Sequence, residues 1–358
     1  MNTLSPLTRA LTGNAGTDAF LHDLASQGLP HNTRAAIAAA LRYWAAWYMA
    51  RHGRPLELAS GPLPTAVALT FVADHAVIQT PHGPSTAMPA DVDAALVSLG
   101  AKRRLGPLSY ATWHQRLVLM TTVHRLLGWS SGTAAPEVLE LVRRAKRPAA
   151  ELGFMKSRAR VLLRDDVLAM LATCADDFAG TRDRALLSVA FASGGRRRSE
   201  LARMRIEDLQ WHAGGADPGY LLTLRGGKGR APGQARPKPV RGEAALAVAN
   251  WLSVLASAGI CGGPLFRVVR GRARPSIGKG LSGHAVNAIV QRRGKLAGLP
   301  GPLSAHGLRG GFLTQAHRDG VDLHHAMALS DHRDLKTVRD HYLAEVDAFA
   351  NPAGKLMG

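Results

Sequence analysis

Cysteine is almost missing from this chain. Only Cys174 and Cys261 occur in 358 residues, far apart and without CxxC spacing. That excludes a disulfide framework and a cysteine-built zinc site, and it makes a reducing cytoplasm the expected compartment. Long apolar runs are missing as well. No stretch reaches the about 18 residues that would cross a bilayer, and MNTLSPLTRALTGNAG lacks the apolar centre of a signal peptide, so no membrane partner is expected. Carboxylates are scarce: 26 acidic residues face 45 basic ones, a formal net charge of +19. Such an excess attracts polyanions at long range, nucleic acid foremost. No clustered carboxylate set stands out, which argues against a two-metal nuclease. Lysine is also rare, with nine of the 45 basic residues. The arginine fork suits bidentate grip on phosphate. A GC-rich genome produces the same bias, so arginine usage alone decides nothing.

The length suits two domains, and a hydrophobic share of 46% excludes wholesale disorder. Residues 1–16 read as a flexible leader. Residues 17–146 are helical in pattern. Asn32-Thr33 offers a cap for a helix bearing Ile37, Leu41, Trp44 and Tyr48, with Arg34 and Arg42 off that stripe. Further helices are expected from Pro64 to about Val77, from near Pro89 through Val92, Ala95 and Leu96, and from Ser109 through Leu117, Met120, Val123 and Leu127 to Gly128. Four short helices with little strand signal make a compact helical domain. The basic, weakly periodic stretch RRAKRPAAELGFMKSRAR reads as interdomain linker, assigned to 147–160. Residues 161–350 mix helices (164–176, 181–193, 198–205, 242–257, 283–297, 305–319, 322–329, 334–348) with two short strands at Tyr220–Leu224 and Lys238–Val240. A Gly/Pro/Arg-rich hairpin loop, RGGKGRAPGQARP, joins those strands. Residues 351–358 form a tail. The fold class is mainly α with a small β-hairpin, α+β in the second domain.

Four blocks carry chemistry. Gly194-Gly195-Arg196-Arg197-Arg198-Ser199-Glu200-Leu201 ends one helix and opens the next through a basic turn; alone, it is equally a solvated arginine cluster. Gly227-Lys228-Gly229 puts a lysine on an exposed loop tip, where loops commonly carry one. Ser304-Ala305-His306-Gly307-Leu308-Arg309 opens a helix with His306 and Arg309 three apart on one face, beside the free N–H groups that favour phosphate. There His306 can equally be a cap. Leu329-Ser330-Asp331-His332 is followed by Tyr342, whose spacing from Leu335 and Val338 also fits a core aromatic.

Taken together, the order Arg, Lys, His-x-x-Arg, His, Tyr resembles the catalytic set of the tyrosine recombinases of the phage-integrase family. GGRRRSEL looks like that family's G-x-R-x-S-E-L motif, placing its first arginine on Arg197. HGLRGGF looks like its H-x-L-R motif, placing the histidine on His306 and the second arginine on Arg309. Lys228 matches the hairpin lysine, with Lys238 the other lysine near that hairpin. His332 matches the second histidine and Tyr342 the nucleophile. NTRAAIAAALRYWAAW and SYATWHQRLVLMTTVHRLLG are similar to the family's core-binding domain, so the resemblance spans about residues 17–350. There are departures. Gly310 stands where many members carry histidine. The interval from His332 to Tyr342 is one residue longer than usual, which puts His341 at the expected position; the following Leu343, Asp347 and Phe349 favour Tyr342.

The resemblance implies a site-specific recombinase that cuts and rejoins double-stranded DNA through a 3′-phosphotyrosyl intermediate, in integration, excision or resolution. Arg197 and Arg309 would hold the charge that builds on the non-bridging oxygens. His306 would take the proton of Tyr342, Lys228 would protonate the departing 5′ oxygen, and His332 would hydrogen-bond the phosphate. Because the phosphotyrosyl link keeps the bond energy, no cofactor, ATP or metal is expected. Two domains closing as a clamp on duplex DNA, a homo-tetramer in the synapse and DNA-bending accessory proteins are also implied, as is docking of 343–358 on a neighbouring protomer, with folding back on its own catalytic domain the alternative. The competing readings are a type IB topoisomerase-like relaxing enzyme and a non-catalytic DNA-binding regulator.

Overall fold

The computed structural model describes residues 28–58, 61–155, 159–213, 218–224, 237–271 and 276–332, with 334, 335 and 338. The chain divides into two compact units, Met1–Ser157 and Arg158–Gly358. It is mostly helical with small antiparallel sheets. Among the described residues, no helix is long and apolar enough to cross a membrane.

The first unit contains α1 (His31–His52), α2 (Thr65–His75), a two-stranded hairpin β1 (Ile78–Thr80) and β2 (Gly83–Ser85), α3 (Ala90–Ser98), α4 (Tyr110–Leu126) and α5 (Pro136–Glu151). One face of α1 buries Ile37, Tyr43, Trp44, Trp47 and Tyr48. Phe71 of α2 stacks on Trp44 with ring centroids 3.8 Å apart and meets Trp47 edge-on at 5.1 Å. Trp113 of α4 closes the same core. The buried Trp47 indole N–H donates to Asp74 Oδ2 at 2.9 Å, which satisfies a donor that has no access to water. The cap expected at Asn32-Thr33 is not used. Thr33 and Arg34 donate their N–H groups to Pro30 O, so α1 has already begun at those residues, and Gly53 ends it in the left-handed region.

The start of the expected linker is corrected. Helix α5 continues through 147–151 with Pro148 inside it. Its basic residues obscure an apolar period of four, three and four, in which Val138, Val142, Ala145 and Ala149 are buried. On the outer face Glu140 pairs with Arg143 and Arg144, and Glu151 with Arg147. Pro148 removes a single ladder donor near the helix end, where the loss is small. The hairpin β1–β2 was not expected either. It is three residues per strand and largely exposed, so it shows no alternation to read.

The second unit contains α6 (Arg164–Ala172), α7 (Phe178–Ala192), α8 (Arg198–Arg203), β3 (Leu209–His212), β4 (Gly219–Leu222), β5 (Lys238–Arg241), α9 (Gly242–Ser257), β6 (Arg267–Arg270), β7 (Ser276–Gly280), α10 (Gly283–Leu296), α11 (Ala305–Arg318) and α12 (Leu323–Ser330). Strands β3, β4 and β5 form an antiparallel sheet in that order, with Leu222 opposite both Leu209 and Lys238. A second antiparallel pair joins β6 and β7. Leu186, Leu187, Trp251 and Phe266 lie in the core between α7, α9 and these strands. Trp251 donates to Leu265 O at 2.7 Å. Of the expected helices, 334–348 falls almost wholly outside the described residues.

The extended segment 159–163 runs against α11. Leu162 N–H donates to Gly307 O at 3.0 Å and Arg160 N–H to Pro302 O at 2.9 Å. This approach needs glycine: a Cβ on Gly311 would fall 1.6 Å from Leu162 O. Gly311→Ala should therefore lower stability by about 1–3 kcal/mol, as overpacking does, despite alanine's better helix propensity. Urea unfolding measures this directly, and an unchanged midpoint would mean that 159–163 is not held against α11.

Candidate active site

The site is built around one turn. Helix α7 runs into Gly194 and Gly195, whose φ angles are 101° and 70°. A Cβ on Gly194 would lie 2.6 Å from the Leu329 backbone, and one on Gly195 would lie 2.7 Å from Arg309 Cα. Glycine is thus required twice over, for its left-handed backbone and for closeness. The turn can then lie directly against α11 and the end of α12, and it carries Arg196 and Arg197 there.

The two arginines diverge. Arg196 is fully buried. Its Nη1 donates to Asp331 Oδ2 at 2.9 Å, and its Nη2 donates to Gly194 O at 3.1 Å and to Leu329 O. Arg197 caps α8 and stays partly exposed. Its Nη1 donates to Glu200 Oε1 at 2.9 Å, and Glu200 Oε2 accepts the Arg197 backbone N–H at 3.0 Å. Glu200 is buried, so it anchors the guanidinium while leaving its outer edge toward solvent.

Arg309 sits in the first turns of α11, 1% exposed. Its Nη1 donates to Gly195 O at 2.8 Å, and its Nε donates to His332 Nε2 at 3.2 Å. Arginine cannot accept a hydrogen bond, so the ring must offer it an unprotonated nitrogen. Nδ1 lies 3.3 Å from Arg309 Nη2 and 2.8 Å from Ser330 Oγ, whose hydroxyl donates to Met327 O. The chain of bonds requires a neutral ring. Burial, then the fields of Arg309, Arg197, His306 and Arg196, push the His332 pKa down to about 3. The same four groups show which charges surround this ring. His306 is exposed in the first turn of α11, which opens with Ala305 N–H donating to Asn287 Oδ1 at 3.0 Å.

Arg197, His306, Arg309 and His332 are therefore brought together. Lys228 and Tyr342, together with His341, lie outside the described residues. Lys238, the other lysine weighed for the hairpin role, is held in the interior: it is 2% exposed, with Nζ on Ala328 O at 2.7 Å and on Asp331 Oδ1 at 2.9 Å. His332, expected to bond phosphate, turns both ring nitrogens toward protein partners and so braces Arg309. Sequence reasoning did not single out Arg196, Ser330 or Asp331. In a run of three arginines nothing marks which one is buried. Asp331 ends α12 with φ of 55°, a position that Asp tolerates better than most residues. Burial disfavours its charge, but Lys238 and Arg196 outweigh that and hold its carboxyl below the usual range.

A model of the phage integrase family matches residues 160–348. An integrase/recombinase xerD homolog of Selenomonas ruminantium is 32% identical over 209 residues, 56% of this chain and 58% of that protein. The tyrosine recombinase XerC of Stutzerimonas stutzeri is 31% identical over 186 residues, 50% of this chain and 56% of that protein. The chain thus spans little more than half the length of these relatives. Among solved structures, the Tn1549 transposon integrase in complex with circular intermediate DNA shares the fold at a TM-score of 0.53 and 14% identity. That likeness covers 94% of this chain and 98% of the integrase.

The neutral His332 has a consequence for pH. Its folded pKa, about 3, lies below the ordinary 6.5. Below pH 6.5 the unfolded chain therefore binds a proton that the native ring refuses. Its stabilising contribution is complete above pH 6.5 and declines as pH falls toward 3. His332→Gln should accordingly lose less stability than wild type between pH 6.5 and 4, measured by urea unfolding at each pH. His75 and His124 are pushed the same way, to about 3 and about 4 by burial, but they are common to both proteins and cancel in the difference. A pH-independent difference would show that His332 is not held neutral.

Proposed function

The chain belongs to the phage integrase family, and from that premise we propose that it is a site-specific recombinase that cleaves and rejoins double-stranded DNA through a 3′-phosphotyrosyl intermediate. The observation that carries this reading is the convergence of Arg197, Arg309, His306 and the neutral His332 around one glycine turn. Two arginines held by buried acceptors are a preorganised receptor for the doubly charged oxygens of a pentacoordinate phosphate. Tyr342 attacks phosphorus through its phenolate oxygen, and its proton passes to His306. The 5′ oxygen leaves with a proton from Lys228, and the bond to Tyr342 Oη replaces the bond that breaks. Attack by a 5′-hydroxyl on the phosphotyrosine reverses every transfer and reseals the strand. Since the ordinary phenol pKa is near 10, the surrounding cations also favour the phenolate.

Exchange between two sites needs four such centres, so a homo-tetramer on two duplexes, formed by a protein of a mobile element in the cytoplasm, is the assembly this reading implies. DNA-bending accessory proteins complete it. The net charge of +19 supports long-range capture of the duplex. A type IB topoisomerase-like reading uses similar chemistry, but the relatives named above are integrases and recombinases. A non-catalytic regulator would have no use for the buried bracing of Arg309.

On a duplex with a nick beside the target phosphate, wild type should accumulate a covalent protein–DNA adduct, and it should do so in excess EDTA. Tyr342→Phe should bind that duplex and form none, while His341→Ala should still trap it. Adduct formation by Tyr342→Phe would move the nucleophile elsewhere. Arg197→Ala should slow trapping by roughly 10²–10³-fold, the scale for losing one preorganised donor to a developing oxyanion. A normal rate would remove Arg197 from the site.

A further inference from the structure

Three charged groups meet just behind the residues to which the reaction has been assigned. Arg196 Nη1 reaches Asp331 Oδ2 and Lys238 Nζ reaches Asp331 Oδ1, each at 2.9 Å. The side chains of Arg196 and Lys238 are 0% and 2% exposed, and that of Asp331 is 22% exposed. Asp331 is also the only non-glycine residue with positive φ among the described residues. A buried ion cluster is a weak source of stability. Replacing all of it with apolar groups is often neutral or favourable, whereas removing one member strands a buried charge. Stability therefore gives little reason for three elements to meet through charges at this point.

What the three residues join gives a better reason. Arg196 lies between Gly195, whose carbonyl accepts from Arg309, and Arg197. Asp331 immediately precedes His332, whose ring accepts from the same Arg309. The path closes on itself: Gly195 to Arg309, Arg309 to His332, His332 along the chain to Asp331, and Asp331 through its carboxylate to Arg196. The carboxylate thus sets the spacing between the turn that carries Arg197 and the turn that carries His332. Lys238 adds a third point, fixing the first residue of β5 to Asp331 and to the Ala328 carbonyl of α12. In this way the sheet is tied to the ring.

We propose that Asp331, gripped by Arg196 and Lys238, is a positioning residue that fixes the His332 ring against Arg309 and holds the Arg197 turn at its working distance, and that the three charges act only as a set. This rests on the reading of Arg197, Arg309 and His332 as phosphate-side groups. None of the three touches the reacting atoms, so their loss acts on the chemical step and not on capture of DNA.

The test compares Asp331→Asn, Lys238→Met and the triple variant Arg196→Met/Asp331→Gly/Lys238→Met. Asparagine keeps the size and tolerates the left-handed backbone, and glycine adopts it without strain. Each single variant should bind the nicked duplex as wild type does, yet trap it at saturating DNA roughly ten- to a hundredfold more slowly, the scale of a small misplacement near reacting atoms. The triple variant strands no charge but lacks the clamp, so it should keep wild-type stability and DNA binding and stay as slow as the singles. The ¹⁵N signals of the His332 imidazole should move in the single variants and in the triple alike. Should Asp331→Asn fail to fold, Lys238→Met, which leaves the Arg196–Asp331 pair, carries the same comparison.

Single variants with wild-type rates and unmoved imidazole signals would overturn the positioning role. A triple variant with the wild-type rate would overturn it too, because stranded charge and not lost positioning would then explain the slow singles. If wild type traps no DNA at all, it is the recombinase reading that has failed. The imidazole signals then decide the positioning role by themselves.

Discussion

Two guanidinium groups, those of Arg196 and Arg309, lie out of water beneath one turn of backbone, and the local structure follows from keeping them there. A buried cation is tolerated only where oxygen or nitrogen acceptors replace its hydration. For Arg196 these are Asp331, Gly194 O and Leu329 O; for Arg309 they are Gly195 O and His332. Most of these acceptors belong to two turns that could not approach α11, or each other, if residues 194 and 195 carried a Cβ. The glycine pair, the left-handed aspartate and the neutral histidine are therefore one solution to one electrostatic problem. Changing any of them is felt at the others.

Much of the architecture is legible in the sequence because it depends on period and punctuation. The apolar spacing in α1 and α4, and the Gly-rich opening of α11, mark those helices directly. The Arg197, His306 and Arg309 positions are legible for a different reason: they sit in short motifs at helix starts, where spacing in sequence is spacing in space. What escaped is of two kinds. Helix α5 escaped because four basic residues within five positions hide a buried stripe of only Val and Ala. The bracing of Asp331 escaped because its partners are 135 and 93 residues away. No local pattern shows that the second arginine of a triplet turns inward while the third turns out. Nor does hairpin composition show that Lys238 is buried and tied down.

Carboxylates are few in this chain, and the buried ones share the interior with buried cations. Several are buried: Asp74, Asp166, Asp183, Glu200 and Asp208. Asp183 alone receives Arg182, Arg292 and Arg293, tying α7 to α10. The same interior holds Lys102, Arg182, Arg196, Lys238, Arg293 and Arg309, so buried charges of the two signs nearly cancel and the exterior keeps the excess of 45 basic over 26 acidic residues almost whole.

The neutrality of His332 bears on the kind of chemistry such a site suits. In a reversible transesterification the forward and reverse steps pass through the same charged phosphorane, so the receptor must offer the same field in both directions. A group that titrated near neutrality would make that field depend on proton uptake between steps. Arginine does not titrate in this range, and a histidine held at a pKa of about 3 does not either. Burial keeps the His332 ring neutral first, and of the cations that add to it Arg309 and Arg197 are also the groups that would hold the phosphate. When an anion enters, part of their repulsion on the ring is relieved, which raises the ring's proton affinity. A shift this deep would let His332 remain an acceptor for Arg309 if a phosphate bound there, so that the brace would outlast the change in charge.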